Sequence, residues 1–276
     1  MVTTMEQRIS GLDGWIGFLE TAEIPVLKRT LRELGVLQAD PDNISVRSVT
    51  DVIAHDPLMT VILLRYLQRH KRNTQLNEVV QIEQALMMLG MRTFFGKVVP
   101  ELVIENMLHG QITALTSLLH TIQRASQAAQ YAKDWAVRLQ DLHFDEIRMA
   151  ALLHNFTEIL MWCYAPMEMA QVHHLQQQNR ALRSRDAQRE IFGFKLSDLQ
   201  LALARSWGLP ELLIGFMNRD DIHRRQIRNI VLAINLTRHA ANGWDDAALP
   251  DDFKEIGEML NMPAQQVAQM VHGQTG

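Results

Sequence analysis

Between residues 24 and 37 the apolar side chains Ile24, Leu27, Leu31, Leu34 and Leu37 recur every three or four positions, which paints one face of a helix. The same period returns along nearly the whole chain. Nowhere do polar and apolar residues alternate between hairpin turns, so the sequence predicts an all-α protein. Breakers and caps mark the boundaries. "DPDNIS" ends the first pattern and offers Ser45 as a cap for "VRSVTDVIAH", whose Asp51 and His55 face outward or toward a neighbour. Asp56 can cap the next helix, with Pro57 at its first position, where the missing N–H had no intrahelical partner to lose. Gly35 weakens the last turn of the first helix, Gly90 can close "EVVQIEQALMMLG", and Pro100 should interrupt the segment after it. Further helical patterns cover residues 111 to 139, 144 to 164 and 167 to 192. "LSDLQLALARSWGLP" starts a helix near Ser197 and ends it at Gly208, and the stretches 222 to 241 and 251 to 271 supply the last ones.

A chain of 276 residues, 47% of them hydrophobic, can bury one large core or two smaller ones that share an interface. Two packed lobes are expected. A formal charge of -4 and a pI near 6.3 give no overall field that favours nucleic acid or an anionic membrane. The opening "MVTTMEQRISGLDGWIG" has no basic segment leading into an apolar core, and no apolar run approaches the ~20 residues needed to cross a bilayer. The expected location is the cytoplasm, with no membrane partner. Basic clusters stand at residues 69 to 73, 180 to 189 and 219 to 228; the last two interleave acids, and the first lacks aromatic residues for stacking on bases. Nucleic acid is therefore not the expected partner.

Side-chain chemistry is sparse. The single cysteine, Cys163, sits between Trp162 and Tyr164 and reads as a small buried hydrophobe. His173 and His174 occupy successive helix positions that diverge by about 100 degrees, too far apart to share one metal without distortion. The 15 methionines suit adaptable core packing for the most part. There is no glycine-rich phosphate loop after a strand and no nucleophile with an evident base.

The order "IPVLKRTLREL", "SVTDVIAHDPLMTVILLRYL", "IEQALMMLGMRTF", "ALLHNFTEIL" and "WGLPELLIGF" resembles the HDOD domain, a helical signalling module of bacteria, from about Ile24 to about Asn242. The most specific parts are the Asp56-Pro57-Leu58 turn, "ALMMLG" followed by Met91 and Arg92, and Trp207-Gly208-Leu209-Pro210. The resemblance implies a multi-helical, two-lobe architecture whose C-terminal lobe is like an HD-type metal phosphohydrolase. Its divisions would be an N-terminal helical extension at 1–23, a helical lobe at 24–110, the HD-like lobe at 111–245 and packed C-terminal helices at 246–276.

An HD hydrolase holds its metal with a first His, an adjacent His-Asp pair and a later Asp. Under the resemblance His120 stands at the first position, His154 at the His of the pair, Asn155 in place of its Asp, and Asn235 close to the final Asp. An amide oxygen is a neutral, weaker ligand than a carboxylate, so no metal and no other cofactor is expected. His120 and His154 are expected to be satisfied inside a core, by each other, an amide or a carbonyl. Asp220-Asp221 supplies carboxylates where many relatives have a His-His pair. The resemblance thus points to a non-catalytic regulatory module whose partner is another signalling protein or a small ligand. Two alternatives stand beside it: a metal-dependent phosphohydrolase with an atypical site, and a nucleotide- or nucleic-acid-binding regulator. The expected partner surface is a groove at the lobe junction drawing on Arg65, Arg69 and Arg92, with Arg92 either paired internally to Glu101 or Asp134 or reserved for the partner.

Overall fold

A computed structural model describes residues 9–40, 44–70, 79–179, 182–217 and 224–273. In chain order the helices are α1 (Gly11–Thr21), α2 (Lys28–Ala39), α3 (Val46–Ile53), α4 (Pro57–Arg69), α5 (Ile82–Leu89) and the single turn α6 (Met91–Thr93), which runs into a π-helical turn at Phe94–Val98. Then follow α7 (Ile104–Met107), α8 (Ile112–Arg138), α9 (Phe144–Leu152), a 3-10 turn at Leu153–Asn155, α10 (Phe156–Tyr164), α11 (Pro166–Gln178) and α12 (Ser184–Phe192). The last five are α13 (Leu196–Ser206), α14 (Glu211–Met217), α15 (Arg225–Ala240), α16 (Leu249–Leu260) and α17 (Ala264–Gly273). Among the described residues there is no strand, only an isolated parallel bridge between Val26 and Val103. The protein is all-α.

That bridge corrects one helix start. The apolar period from Ile24 suggested a helix over the whole segment, but Ile24 to Val26 are outside it and α2 begins at Lys28. Pro25 restricts the backbone of the residue before it to extended conformations. Val26 then donates to the Leu102 carbonyl and accepts from Ile104 N–H, so its backbone is satisfied without a helix. Gly35 does not shorten α2, which continues to Ala39.

Asp56 is fully buried and accepts four hydrogen bonds. Its Oδ1 takes the Leu58 and Met59 N–H groups at 3.0 and 3.1 Å, capping α4 as its position before Pro57 suggests. Its Oδ2 reaches across to Leu27 N–H and the Thr30 hydroxyl at 3.0 and 2.8 Å, at the start of α2. One carboxylate therefore serves the N-termini of two helices. Burial pushes this carboxyl upward from its ordinary value while the four donors pull it down. Ser45 caps α3 and forms a reciprocal box with Ser48 on the surface.

Helix α4 is apolar almost all round, burying Leu58, Met59, Val61, Leu63, Leu64 and Leu67. One side meets α3 and α5; the other meets α10. The core is consequently one continuous apolar cluster running through both halves of the chain. In the second half α8, 27 residues long, packs against α9, α10 and α15, while α15 adds α16, which carries α17. Small residues at Ala125, Ala128, Ala129, Ala132 and Ala136 let α8 approach its neighbours. Buried Asn229 of α15 donates to the Ala132 carbonyl at 3.0 Å. Helix α1 lies on α13, with Trp15 edge-on to Phe192. Cys163 is buried, and burial raises its thiol pKa, as expected of a packing residue.

Removing Asp56 strands four donors, whereas removing Ser45 exposes its partners to water. Asp56→Ala is expected to lower unfolding stability in urea by roughly 3 kcal/mol or more, and Ser45→Ala by about 1 kcal/mol. Asp56→Asn should fall between them, since its single oxygen can serve only one helix. Equal losses for Asp56→Ala and Ser45→Ala would deny the double cap.

Candidate functional site

The 3-10 turn Leu153–Asn155 breaks what the sequence writes as one apolar helix, and it sets His154 and Asn155 between α9 and α10, partly accessible, in contact with α8. His120 is on α8 but exposed, and it takes no part in a hydrogen bond among the described residues. The expectation that His120 is satisfied inside a core is corrected here. The buried stripe of α8 runs through Ala114, Leu118, Thr121, Ile122 and Ala125, so position 120 turns outward. Asn235 is partly buried on α15, and its Oδ1 accepts from the Arg238 guanidinium at 3.2 Å.

The inward position next to His120 is Thr121. Its hydroxyl donates to Glu158 Oε1 at 3.1 Å, and Glu158 lies one turn after His154 on α10. Arg124, one turn further along α8, donates to the Thr121 hydroxyl at 3.1 Å and stands 3.6 Å from the same carboxylate. A guanidinium thus faces the one carboxylate close to the His154-Asn155 pair. Beside them His173 packs edge-on to Trp162, and burial lowers its pKa. Among the described residues no group of three or more His, Cys, Asp or Glu side chains converges. An exposed imidazole, two amides and a carboxylate already matched by arginine do not fit a hydrolytic metal ion. Asp220 and Asp221 lie outside the described residues.

Arg65 and Arg69 share a face of α4 and line an open cleft of about 510 Å³. Its other walls are the segment 22 to 24 and the segment 97 to 101, where Pro100 ends the π-turn as the sequence suggested. Arg92 does not line it; it is exposed and makes no ion pair among the described residues, so the internal bridge to Glu101 or Asp134 is not formed. Sequence reading missed Lys97, Tyr66 and His70 on this cleft and the Thr121-Arg124-Glu158 cluster. The four-residue step from Tyr66 to His70 beside Arg69 was a usable signal; the Arg124-Glu158 pairing, across 34 positions, left none.

Arg65 has a second task. Its guanidinium lies 4.8 Å from the Trp207 ring centroid and donates to the Glu20 carbonyl at 2.5 Å. It therefore ties α4 to the ends of α1 and α13. Burial and Arg69 lower its pKa to about 10, against the pull of Glu20. Glu20 also accepts from the Ser206 hydroxyl, and Tyr164 donates to the Glu23 carbonyl. Gly208, at φ +66, ends the α13 segment against Gln68 of α4. Of the last two basic clusters, Arg189 pairs within its helix with Asp186, while Arg225 reaches buried Asp141 and Arg228 reaches Glu258 on other elements. Residues 71–73, 180–181 and 219–223 lie outside the described residues.

The sequence matches the family model of the HDOD domain over residues 24–221. The fold is similar to that of the MmoQ response regulator from Methylococcus capsulatus strain Bath, with a TM-score of 0.66, 17% identity, and 91% of this chain and 98% of that chain covered. It is also similar to a virulence factor from Campylobacter jejuni subsp. jejuni, with a TM-score of 0.68, 17% identity, and coverage of 92% and 91%. No curated protein sequence matches. Among the described residues no helix is long and apolar enough to cross a membrane.

Arg65→Ala removes both the contact with Trp207 and the bond to Glu20, so it is expected to cost about 2–3 kcal/mol in urea unfolding. Arg65→Lys, which keeps charge but not the planar stack, should recover less than half of that. A neutral Arg65→Ala would show that the junction is held elsewhere.

Proposed function

The chain belongs to the HDOD domain family, and from that premise we propose that it is a non-catalytic regulatory module that relays a signal by binding another protein or a small ligand. The family is related to HD phosphohydrolases, and catalysis in such an enzyme depends on the positions that hold metal. The observation that carries the reading is the Arg124 guanidinium 3.6 Å from Glu158, locked through Thr121. A divalent cation brought to this carboxylate would meet a fixed positive charge, with His154 and the amide of Asn155 in the adjoining turn and no second carboxylate converging there among the described residues. The same cluster stitches α8 to α10, which gives it a structural use without any reaction. The description of one structural neighbour as a response regulator agrees with a regulatory role.

Protein purified without chelator is expected to carry well under one transition-metal ion per chain by elemental analysis. Asn155→Asp should not hydrolyse nucleotides or phosphodiesters, and should lose stability, because a carboxylate set between α9 and α10 gains no cation there. Stoichiometric metal that is lost in His154→Ala, together with metal-dependent phosphodiester hydrolysis, would overturn the proposal.

A further inference from the structure

The α4 cleft holds charged and aromatic side chains that the fold leaves unengaged. Arg69 and Lys97 are exposed on it, Glu23 and Glu101 face it from the opposite segments, and none of the four forms an ion pair among the described residues. Charges of both signs within one cleft that leave each other unmatched are available to a ligand. Across the end of α4 the rings of Tyr66 and His70 lie stacked, with centroids 4.0 Å apart and planes at 19 degrees. His70 Nδ1 meets the Tyr66 carbonyl at 2.8 Å, which makes Nδ1 the protonated nitrogen and leaves Nε2 as an acceptor. His70 is the exposed member of the pair, and with Tyr66 behind it its outer face is a flat platform.

We propose that this cleft binds a free mononucleotide, with the base stacked on the outer face of His70, which Tyr66 backs from the other side, and the phosphate held by Arg69 and Lys97. The inference rests on the reading of the chain as a binding module and names a ligand class for it. Size agrees: about 510 Å³ falls within the roughly 300–1,000 Å³ typical of small-ligand sites. Stacking on the imidazole tolerates any base, because every base has a π face. Glu23 and Glu101 repel phosphate but accept from ribose hydroxyls, the role carboxylates have in other nucleotide sites. The C-terminal end of α4 also disfavours an anion, and Arg69 in its last turn offsets that end, so the phosphate belongs toward Lys97, across the cleft. Three cations against two carboxylates leave the lining net positive. Arg65, at the base of the cleft, is the residue through which occupancy reaches Trp207 and Glu20.

The test is calorimetric titration of the full chain with AMP, GMP, CMP and UMP, and with adenosine and inorganic phosphate as the two halves of the ligand. At least one mononucleotide should bind tenfold or more tightly than either half. Arg69→Glu combined with Lys97→Glu, both exposed and so expected to keep the native circular dichroism, should weaken it at least tenfold. His70→Ala should weaken mononucleotide several-fold and leave phosphate unchanged, and Arg92→Glu, outside the cleft, should change nothing. Absence of binding by all four mononucleotides at about 1 mM, or equal binding by the double variant, would overturn the proposal. So would affinity for oligoadenylates that climbs with length, which would mark a strand-binding surface. Nucleotide that binds and is also hydrolysed would instead overturn the non-catalytic reading and leave the ligand class standing.

Discussion

A single buried carboxylate sets the arrangement of the N-terminal half. Asp56 ends one connection and begins α4, yet half of its bonding capacity is spent on α2, 26 and 29 residues earlier in the chain. Two helix N-termini, each with orphan N–H groups, converge on one negative charge. Once they do, the direction of α4 relative to α2 is fixed, and with it the face that α4 turns to α10. The cleft along α4 depends on that orientation. Arg65 reaches Trp207 and Glu20 only because α4 enters the core at this angle, and Arg69 and His70 reach the cleft on the same turn-by-turn repeat.

The second half tells a different story about charge. Where an HD-type enzyme concentrates negative side chains around a cation, this chain places a cation of its own. Arg124 satisfies Glu158, and Thr121 holds both. On the proposed reading, Asn155 and Asn235 stand where an HD-type enzyme would have carboxylates, and Arg124 adds a positive charge beside Glu158. Asn235 accepts locally from Arg238. On the same helix His239 meets Asp252 at 2.6 Å, tying α15 to α16.

How much of this was legible in the sequence depended on the distance over which each interaction acts. Helix class, the caps at Ser45 and Asp56, and the stops at Gly90, Pro100 and Gly208 are decided by a few neighbouring residues, and they were readable. The extended start at Ile24 to Val26 was not, because its apolar period is that of a helix and only the pairing with Val103 overrides it. His120 was misjudged for a related reason: a one-residue step along α8 rotates a side chain by about 100 degrees, and Thr121, not His120, faces inward. The second pair of bonds at Asp56 and the pairing of Arg124 with Glu158 join distant segments, so local pattern carries no trace of them.

Amide hydrogen exchange at Leu27, Leu58 and Met59 tests most directly whether Asp56 organises the fold. First-turn amides of ordinary helices fray and exchange with little protection. If these three are held by one buried carboxylate, their exchange free energies should equal the global unfolding free energy measured in urea. Exchange at Leu27 several kcal/mol below that value, while Leu58 and Met59 stay protected, would contradict the account, since α2 would then open without α4.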